Sequence, residues 1–385
     1  MKRKKFMLAI TFLFLLSILI TGCSETAAAI PETAEEQSVE SSTEEDVAPE
    51  AGEALVDSPT CQAIEFPDSF TIKEPQDIVI GYVKRFEWKP QQTSDFQQAC
   101  DELGIECVYG DDMFQLIDQG VSAIIQDADY ISVDGIAGAV NSAWEKGIPV
   151  FVLNAVPSEM NHAYTVSIDY NQWAAISLEW MAEKMGGEGE MVLVYPGMNL
   201  PYMDGIEKFL AKYPDIIPVE QKTDIYNAHD DLQSDVVNFV NTYPDLKAIW
   251  TTEQINRVYW GLGDAGIAVE DYPLIVTAAN TEGLDMWIHK MEEDPNFESI
   301  AVVDPAGVAY DTVYAAYYLL TGYPINDAAL GGENCTTLSV PIPVITSENL
   351  EEWWAAYKPL GISYDIWLNE FMTPEMIREQ WFLEK

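Results

Sequence analysis

The feature that most constrains the fold is a regular alternation of apolar runs of strand length with amphipathic segments of helix length. From residue 78 to residue 154 the apolar runs are IVIGYV, CVY, VSAIIQ and PVFVLN. Helical patterns over 93–103, 113–119 and 133–146 separate them. Strands that are apolar at successive positions are covered on both faces, as in parallel sheets. The alternation therefore predicts βαβ units built around a parallel sheet.

The same pattern begins again in the second half of the chain. Predicted strands cover 191–195, 218–222, 248–251, 274–278 and 299–303. Predicted helices cover 204–213, 232–243, 258–265, 284–291 and 310–321. Each series is too short to account for the whole chain. The two together predict an α/β protein of two doubly wound parallel-sheet lobes.

The first 23 residues predict a secretory signal peptide. A charged start, MKRKK, precedes a long apolar run that ends at ITGC, and this order is typical of an export signal rather than a membrane span. Ile20 to Cys23 resembles the lipobox of bacterial lipoproteins, which implies that Cys23 is lipidated and becomes the new N-terminus. The lipid would then hold the chain at a membrane. An ordinary signal with a chance cysteine is the alternative.

Residues 24–60 predict a disordered tether. The segment has eleven Asp or Glu, no Lys or Arg and no aromatic residue, so it cannot bury enough apolar surface to offset the entropy of ordering. The remaining body, 61–385, has 53 acidic and 15 basic residues, a net charge of −38. Nucleic acid binding needs the opposite sign and is disfavoured, and anionic ligands would be repelled.

Four cysteines remain in the body, and three pairings are possible. Cys100 with Cys107 is favoured because a helix and the next strand place them close together, which leaves Cys61 with Cys335. Free buried thiols are the alternative. No CxxC motif or Cys/His spacing indicates zinc, so no metal and no cofactor are expected.

One long segment carries a family resemblance. The run QLIDQGVSAIIQDADYISVDGIAGAVNSAWEKGIPVFVLNA resembles the ribose- and galactose-binding family of type I periplasmic binding proteins, in the order and spacing of its helices, strands and polar strand ends. FVNTYPDLKAIWTTEQ, YPLIVTAAN and ESIAVVDPAGVAYDTVYAAYYLLTGY resemble later segments of the same family. The resemblance covers roughly residues 76–345.

The resemblance, taken with the lipobox, implies the substrate-binding lipoprotein of a sugar ABC importer. It would be a monomer on the outer face of the bacterial cell membrane, with an ABC permease and ATPase complex as its partner. It implies two lobes joined by a three-segment hinge. The first lobe would comprise 61–168 and 305–337, and the second 169–304 and 338–385, with added C-terminal helices.

Polar side chains at the carboxyl ends of strands are the candidate ligand contacts, because parallel sheets bind ligands at that edge. Asn154 follows the fourth strand, and its amide both donates and accepts hydrogen bonds, as a sugar hydroxyl requires. An asparagine that only turns the loop is the alternative. The candidate residues are Arg85, Phe86, Trp88, Asn154, Asp169, Asp204, Glu253, Gln254, Asn280 and Asp304.

The candidates differ in the role expected of them. Phe86 and Trp88 would lay a ring against a sugar face, or would instead cover the lobe. Arg85 would fork two hydroxyls. By resemblance, Asn154, Glu253, Asn280 and Asp304 stand closest to the sugar-contacting positions of the family. Asp127 and Asp129 are read as helix caps rather than as ligand contacts.

The chain departs from the ribose-type pattern at the fourth strand. That pattern has Asp-Arg where Asn154-Ala155 stands here, and the arginine expected after MVLVY is absent. Arg85 would substitute for it, as in the xylose-type branch. Because many carboxylates stand near the candidate cleft, a phosphorylated or uronic ligand is disfavoured. A neutral monosaccharide or related polyol is the expected ligand, and a nucleoside is the alternative.

No enzyme is predicted. The three histidines, His162, His229 and His289, occur without HExxH, a nucleophile elbow or a phosphate loop. A second function is the alternative. The protein would close its two lobes around the ligand and present this closed, liganded form to a membrane sensor or chemoreceptor. The aromatic-rich end of the chain, from Glu348, predicts helices packed on the second lobe, with a partner-docking surface as the alternative.

Overall fold

The computed structural model describes residues 61–83, 91–127, 136–154, 161–195, 201–222, 231–252, 254–332 and 334–385. Within these ranges, no helix is long and apolar enough to cross a membrane. The described residues form two sheets, one in each of two lobes.

The first lobe is built on a seven-stranded sheet. Its strands are β1 (Val79–Val83), β2 (Glu106–Gly110), β3 (Ala123–Asp127), β4 (Val150–Leu153), β5 (Ala163–Ser167), β11 (Leu330–Gly331) and β12 (Thr337–Ser339). Their spatial order is β11-β12-β5-β4-β3-β1-β2. All neighbours pair in parallel except β11 with β12, which is a short antiparallel hairpin.

The second lobe is built on a six-stranded sheet. Its strands are β6 (Gly189–Val194), β7 (Ile216–Lys222), β8 (Leu246–Thr251), β9 (Leu274–Val276), β10 (Ser299–Val302) and β13 (Val344–Ile345). Their order is β13-β10-β9-β8-β6-β7, and only the pair of β10 with β13 is antiparallel.

Eleven α-helices are present among the described residues. They are α1 (Gln91–Leu103), α2 (Met113–Gln119), α3 (Ala137–Glu145), α4 (Tyr170–Met185), α5 (Met203–Lys212), α6 (Asp231–Thr242), α7 (Ile255–Asp264), α8 (Thr281–Glu293), α9 (Val308–Leu320), α10 (Leu350–Tyr357) and α11 (Pro374–Trp381).

Helices cover both faces of each sheet. In the first lobe, Phe96 of α1 and Val313 of α9 pack on one face, while Leu116 of α2 and Val140 of α3 pack on the other. In the second lobe, the two faces carry separate buried clusters, one with α6, α7 and α8 and one with α4 and α5. The predicted doubly wound α/β fold is therefore confirmed.

The described part of the chain passes between the lobes four times. Three passages are those expected of the fold: after β5, after β10 and between β12 and β13. They lie side by side, since Val340 N donates to Ser167 O (3.0 Å) and Val303 N donates to Pro343 O (2.9 Å). A fourth passage follows Leu368, which is buried in the second lobe, and precedes Met372, which is buried in the first.

The assignment of all of 338–385 to the second lobe is wrong. Helix α10 does pack there, against α8. Helix α11 instead packs on α9 of the first lobe, because Ile377 and Trp381 complete the apolar cluster on that helix. The aromatic C-terminus therefore serves both lobes.

Two disulfides are present among the described residues. Cys61 is bonded to Cys335, beside the hairpin of β11 and β12, and Cys100 in α1 is bonded to Cys107 in β2. The first bond ties the start of the described body to the edge of the first sheet. Ile64 N also donates to Tyr164 OH (2.8 Å) in β5, which holds the same segment against the lobe.

Candidate functional site

The carboxyl ends of both sheets are directed toward the passages between the lobes. β5 runs directly into the first passage and β10 into the second. Ligands of open parallel sheets bind outside this edge. A cavity of about 100 Å³ lies there, and it has room for several water molecules, hence for a small molecule of the same bulk.

The cavity is lined by the ends of β8, β9 and β10, by one face of α4 and by part of the C-terminal segment. The lining residues are Tyr170, Trp173, Ser177, Tyr202, Trp250, Thr251, Thr252, Ile255, Val276, Thr277, Ala278, Ala279, Val302, Asp304 and Trp367. Most of them belong to the second lobe or to the passages that leave it.

Helix α4 supplies one wall. Asp169 begins the helix, and its carboxylate accepts hydrogen bonds from the backbone of Asn171 (2.9 Å) and Gln172 (3.2 Å). Such capping fixes where the helix starts. Tyr170, Trp173 and Ser177 then fall on one helical face, which is directed at the cavity.

The aromatic rings of the wall contact one another. The rings of Trp173 and Tyr202 lie 5.9 Å apart, and those of Tyr202 and Trp250 lie 6.0 Å apart. Both distances lie within the range of favourable aromatic pairs. The three rings therefore form a pre-organised apolar surface, the type of surface that receives the carbon face of a sugar.

The C-terminal segment closes one side of the cavity. Leu368 N donates to Ala279 O (3.0 Å) and Thr281 N donates to Ile366 O (3.0 Å), which joins the segment to the second lobe. Across the cleft, Gln91 Nε2 of α1 donates to Trp367 O (3.0 Å). The short segment 366–368, which contains the lining residue Trp367, is thus bonded to both lobes.

The first lobe also has polar side chains at the carboxyl edge of its sheet. Asn154 follows β4 with a left-handed φ of 61° and is 3% exposed. Gln92, in the first turn of α1, is fully buried. Asn154 Nδ2 and both amide atoms of Gln92 have no hydrogen-bond partner among the described residues. Buried amides normally have partners, so these groups are candidates for bonding a ligand.

A pair of buried carboxyl groups lies behind this edge. Burial raises the pKa of Asp95 in α1 to about 7. Burial also raises the pKa of Asp311 in α9 well above its ordinary value, and the neighbouring Asp95 carboxylate adds to the rise. Asp311 Oδ1 accepts the backbone N–H of Met372 (3.1 Å). Because Met372 follows the fourth passage, the pair of Asp95 and Asp311 lies where that passage enters the first lobe.

The structure brings some of the predicted contacts to the cavity. Asp304 lines it and is 9% exposed. Gln254 has a left-handed φ of 57° and directly precedes the lining residue Ile255. Asn280 adjoins the lining residue Ala279, and its side chain caps α8 by accepting from Gly283 N (2.8 Å). Asn154 does not line the cavity, and it lies at the carboxyl end of β4 in the first lobe.

Other predicted contacts are placed elsewhere. Asp169 and Asp204 are exposed and do not line the cavity, because the first caps α4 and the second lies on the outer side of α5. Asp127 ends β3 in a buried position and is not the N-cap of α3, which is Ile136. Four predicted contacts lie outside the described residues, as does Asp129: Arg85, Phe86, Trp88 and Glu253.

The aromatic lining was missed at the level of sequence. Tyr170, Trp173 and Ser177 have the i, i+3, i+7 spacing of one helical face, and this was the available signal. Trp250 and Trp367 carried no such signal, because one is a buried strand residue and the other lies in an irregular segment. Within the described ranges, no group of three or more metal-ligating side chains is found.

Comparison with known proteins finds one matching family model and a curated relative. The family model described as periplasmic binding protein domain matches residues 79–324. A xylitol-binding protein of Mycolicibacterium smegmatis is 27% identical over 241 residues, which cover 61% of this chain. The match spans 64% of the length of that relative.

Solved structures share the fold. An ABC transporter solute binding protein of Thermobispora bispora has a TM-score of 0.59 and 19% identity, over 79% of this chain and 94% of that one. An ABC transporter solute binding protein of Bacillus halodurans with bound myo-inositol has a TM-score of 0.56 and 17% identity, over 74% of this chain and 99% of that one. At these identities the likeness concerns the fold alone.

Proposed function

The chain belongs to the family of periplasmic binding protein domains, and from that membership we propose that it captures a neutral sugar or polyol between its two lobes. The observation that carries the proposal is the cavity at the carboxyl ends of β8, β9 and β10, beside the passages between the lobes, lined by Trp173, Trp250 and Trp367. Sites for small neutral ligands are usually lined by aromatic rings and a few polar groups.

The polar groups suit such a ligand. Asn154 and Gln92 offer buried amides on the first lobe, and Asp304 offers a carboxylate at the second passage. Amides and carboxylates bond hydroxyl groups without requiring a charge on the ligand. The net charge of −45 would repel an anion at long range. The name of the M. smegmatis relative and the inositol bound to the B. halodurans protein agree with a polyol.

The proposed mechanism is closure of the lobes around the ligand. A ligand that contacts both lobes binds the closed arrangement more tightly than the open one, and so shifts the population toward it. Four backbone passages among the described residues connect the lobes, and hinge residues absorb such motions. The closed form would then be delivered to an ABC permease and ATPase complex.

The proposed location follows from the first 60 residues. A lipobox-like ITGC after an apolar run would place a lipid on Cys23, and the acidic segment 24–60 would act as the tether. The binding body would thus lie on the outer face of the cell membrane, near its transporter. Globomycin treatment or Cys23→Ser substitution, followed by membrane fractionation, tests this placement.

A melting-temperature screen tests the binding function. A chain that begins at residue 24 would be heated with each member of a panel of monosaccharides, polyols and nucleosides. A ligand that binds only the folded state raises the midpoint by an amount that grows with its excess over Kd. A rise with one neutral sugar or polyol supports the proposal. A flat response to the whole panel contradicts it.

A further inference from the structure

Among the described residues, the lining of the cavity is mostly carbon, and Asp304 is its one charged side chain. Five of its lining residues carry aromatic rings, and several others are aliphatic. A free sugar or polyol has hydroxyl groups on every side. The polar atoms in the lining therefore decide whether such a ligand can fill the cavity without losing hydrogen bonds.

The indole nitrogens of the wall already have partners. Trp173 Nε1 donates to Val302 O (3.0 Å), and Trp250 Nε1 donates to Ser177 Oγ (2.8 Å). Ser177 Oγ in turn donates to Ala174 O (3.1 Å), so the hydroxyl is used twice within the protein. Both tryptophans consequently offer their ring carbons to the cavity.

The hydroxyl groups near the strand ends are also engaged. Tyr202 OH donates to Thr252 Oγ1 (3.4 Å). Thr277 Oγ1 and Ser299 Oγ share a hydrogen bond of 2.7 Å, and Ser299 Oγ donates to Ile275 O (2.6 Å). The floor formed by β9 and β10 therefore has its hydroxyls turned into the protein, where they bond one another.

The two sides of the cleft are thus chemically unlike. At the edge of the first lobe, Asn154 Nδ2 and the amide of Gln92 have no partner among the described residues, whereas the cavity of the second lobe is lined mainly by apolar atoms. A hydroxyl buried against the apolar side would leave water without replacing its bonds. An apolar group there gains from burial.

We propose that the natural ligand is a sugar or polyol that carries an apolar substituent, such as an alkylthio, alkyl or aryl group. The substituent occupies the cavity between Trp173, Trp250 and Ala278, while the hydroxyl groups bond to the first lobe. This inference rests on the proposed function, and it names the ligand class of the same site.

Matched pairs of ligands test it by calorimetry on the chain from residue 24. The pairs are D-ribose with 5-methylthioribose and D-xylose with phenyl β-D-xyloside, and xylitol and myo-inositol are measured as unsubstituted polyols. We expect a substituted member to bind at least tenfold more tightly than its parent sugar and than either polyol. If unsubstituted sugars or polyols bind as tightly or more tightly, the inference is overturned and the proposed function stands. If nothing in the set binds, the proposed function fails as well.

A pair of leucine variants locates the substituent. Ala278→Leu narrows the cavity, and we expect it to reduce the ratio of the two dissociation constants to below three. Ala268→Leu adds the same side chain at an exposed position of the second lobe, and we expect the wild-type ratio. An unchanged ratio in Ala278→Leu would overturn the placement. The comparison of ligands on the wild-type chain decides the ligand class even if that variant does not fold.

Discussion

The side chain of Gln91 and the backbone of Trp367 form a hydrogen bond of 3.0 Å across the cleft between the two lobes. Gln91 opens helix α1 of the first lobe, and Trp367 lines the cavity of the second. The C-terminal segment then continues into the first lobe through Asn369, whose Oδ1 accepts Gly307 N (2.6 Å). The segment therefore acts as a fourth connection between the lobes, alongside the three that the fold requires.

Gln91→Ala should loosen this connection. A hydrogen bond of this type contributes about 1 kcal/mol, so we expect hydrogen exchange at the amides of Leu368, Asn369 and Met372 to accelerate about fivefold. Exchange monitored by mass spectrometry measures the change. Gln98→Ala is the matched control, because Gln98 lies on the exposed side of the same helix. Equal protection in both variants would show that the bond does not hold the segment.

Asp95 should make stability depend on pH. Its pKa is raised from 3.8 to about 7 in the folded chain, so the folded state holds this proton over a range where the unfolded state has lost it. The stabilisation is full below pH 4 and is lost as the pH rises through 7. Two groups share its surroundings: the Asp311 carboxyl and the Tyr357 hydroxyl.

Asp95→Asn removes this titration. Between pH 5 and pH 7 the variant should gain stability relative to wild type, by at most about 1.4 kcal/mol per pH unit, and the difference should level off above pH 8. Urea denaturation at several pH values measures it. Asp101→Asn, on the exposed face of α1, is the matched control. A constant difference between wild type and Asp95→Asn would contradict the assignment.

Much of the fold could be predicted because its strands are buried on both faces. The runs at 78–83, 121–126 and 149–154 gave β1, β3 and β4 within two residues. Strand β5 (Ala163–Ser167) and helix α4 (Tyr170–Met185) were not predicted. The strand AYTVS mixes polar and apolar residues although all five are buried. Helix α4 has apolar residues around most of its circumference because the buried clusters of both lobes contact its start.

The site was less accessible to prediction, for a physical reason. Strand ends identify which residues reach the edge of a sheet, and this rule places Asn154 after β4 and Asp304 after β10. The rule cannot say which carboxylates are used as helix caps, as Asp169 is. Nor can it find Trp367, since that residue reaches the cavity only through the packing of an irregular segment on Ala279 and Thr281.

Ile377 should report the attachment of the C-terminus to the first lobe. Its side chain is fully buried, while that of the adjacent Met376 is 37% exposed. Ile377→Ala should lower the free energy of unfolding by about 2–5 kcal/mol, and Met376→Ala should change it by less than about 0.5 kcal/mol. Denaturation in urea gives both values. Similar values for the two variants would show that α11 is not part of the first-lobe core.

Variants of Asn154 distinguish two roles for this residue, which are contact with the ligand and shaping of the turn after β4. Its φ of 61° lies in the left-handed region, which glycine adopts without strain. Asn154→Gly therefore keeps the turn and removes the amide. We expect thermal denaturation of the ligand-free variant to match wild type within about 0.5 kcal/mol. Calorimetry with the best ligand of the panel should show a Kd at least tenfold higher, because the bonds to Nδ2 and Oδ1 are lost.

Asn154→Asp refines the same test, because aspartate also tolerates the left-handed region but loses the two N–H donors. If the amide donates to the ligand, the aspartate variant should bind as weakly as the glycine variant. If it only accepts, the aspartate variant should retain most of the affinity. Wild-type affinity in both variants would mean that Asn154 shapes the end of β4 and contacts no ligand. The first lobe would then have to bind through other groups at its edge, among which Gln92 is buried with its amide unpartnered.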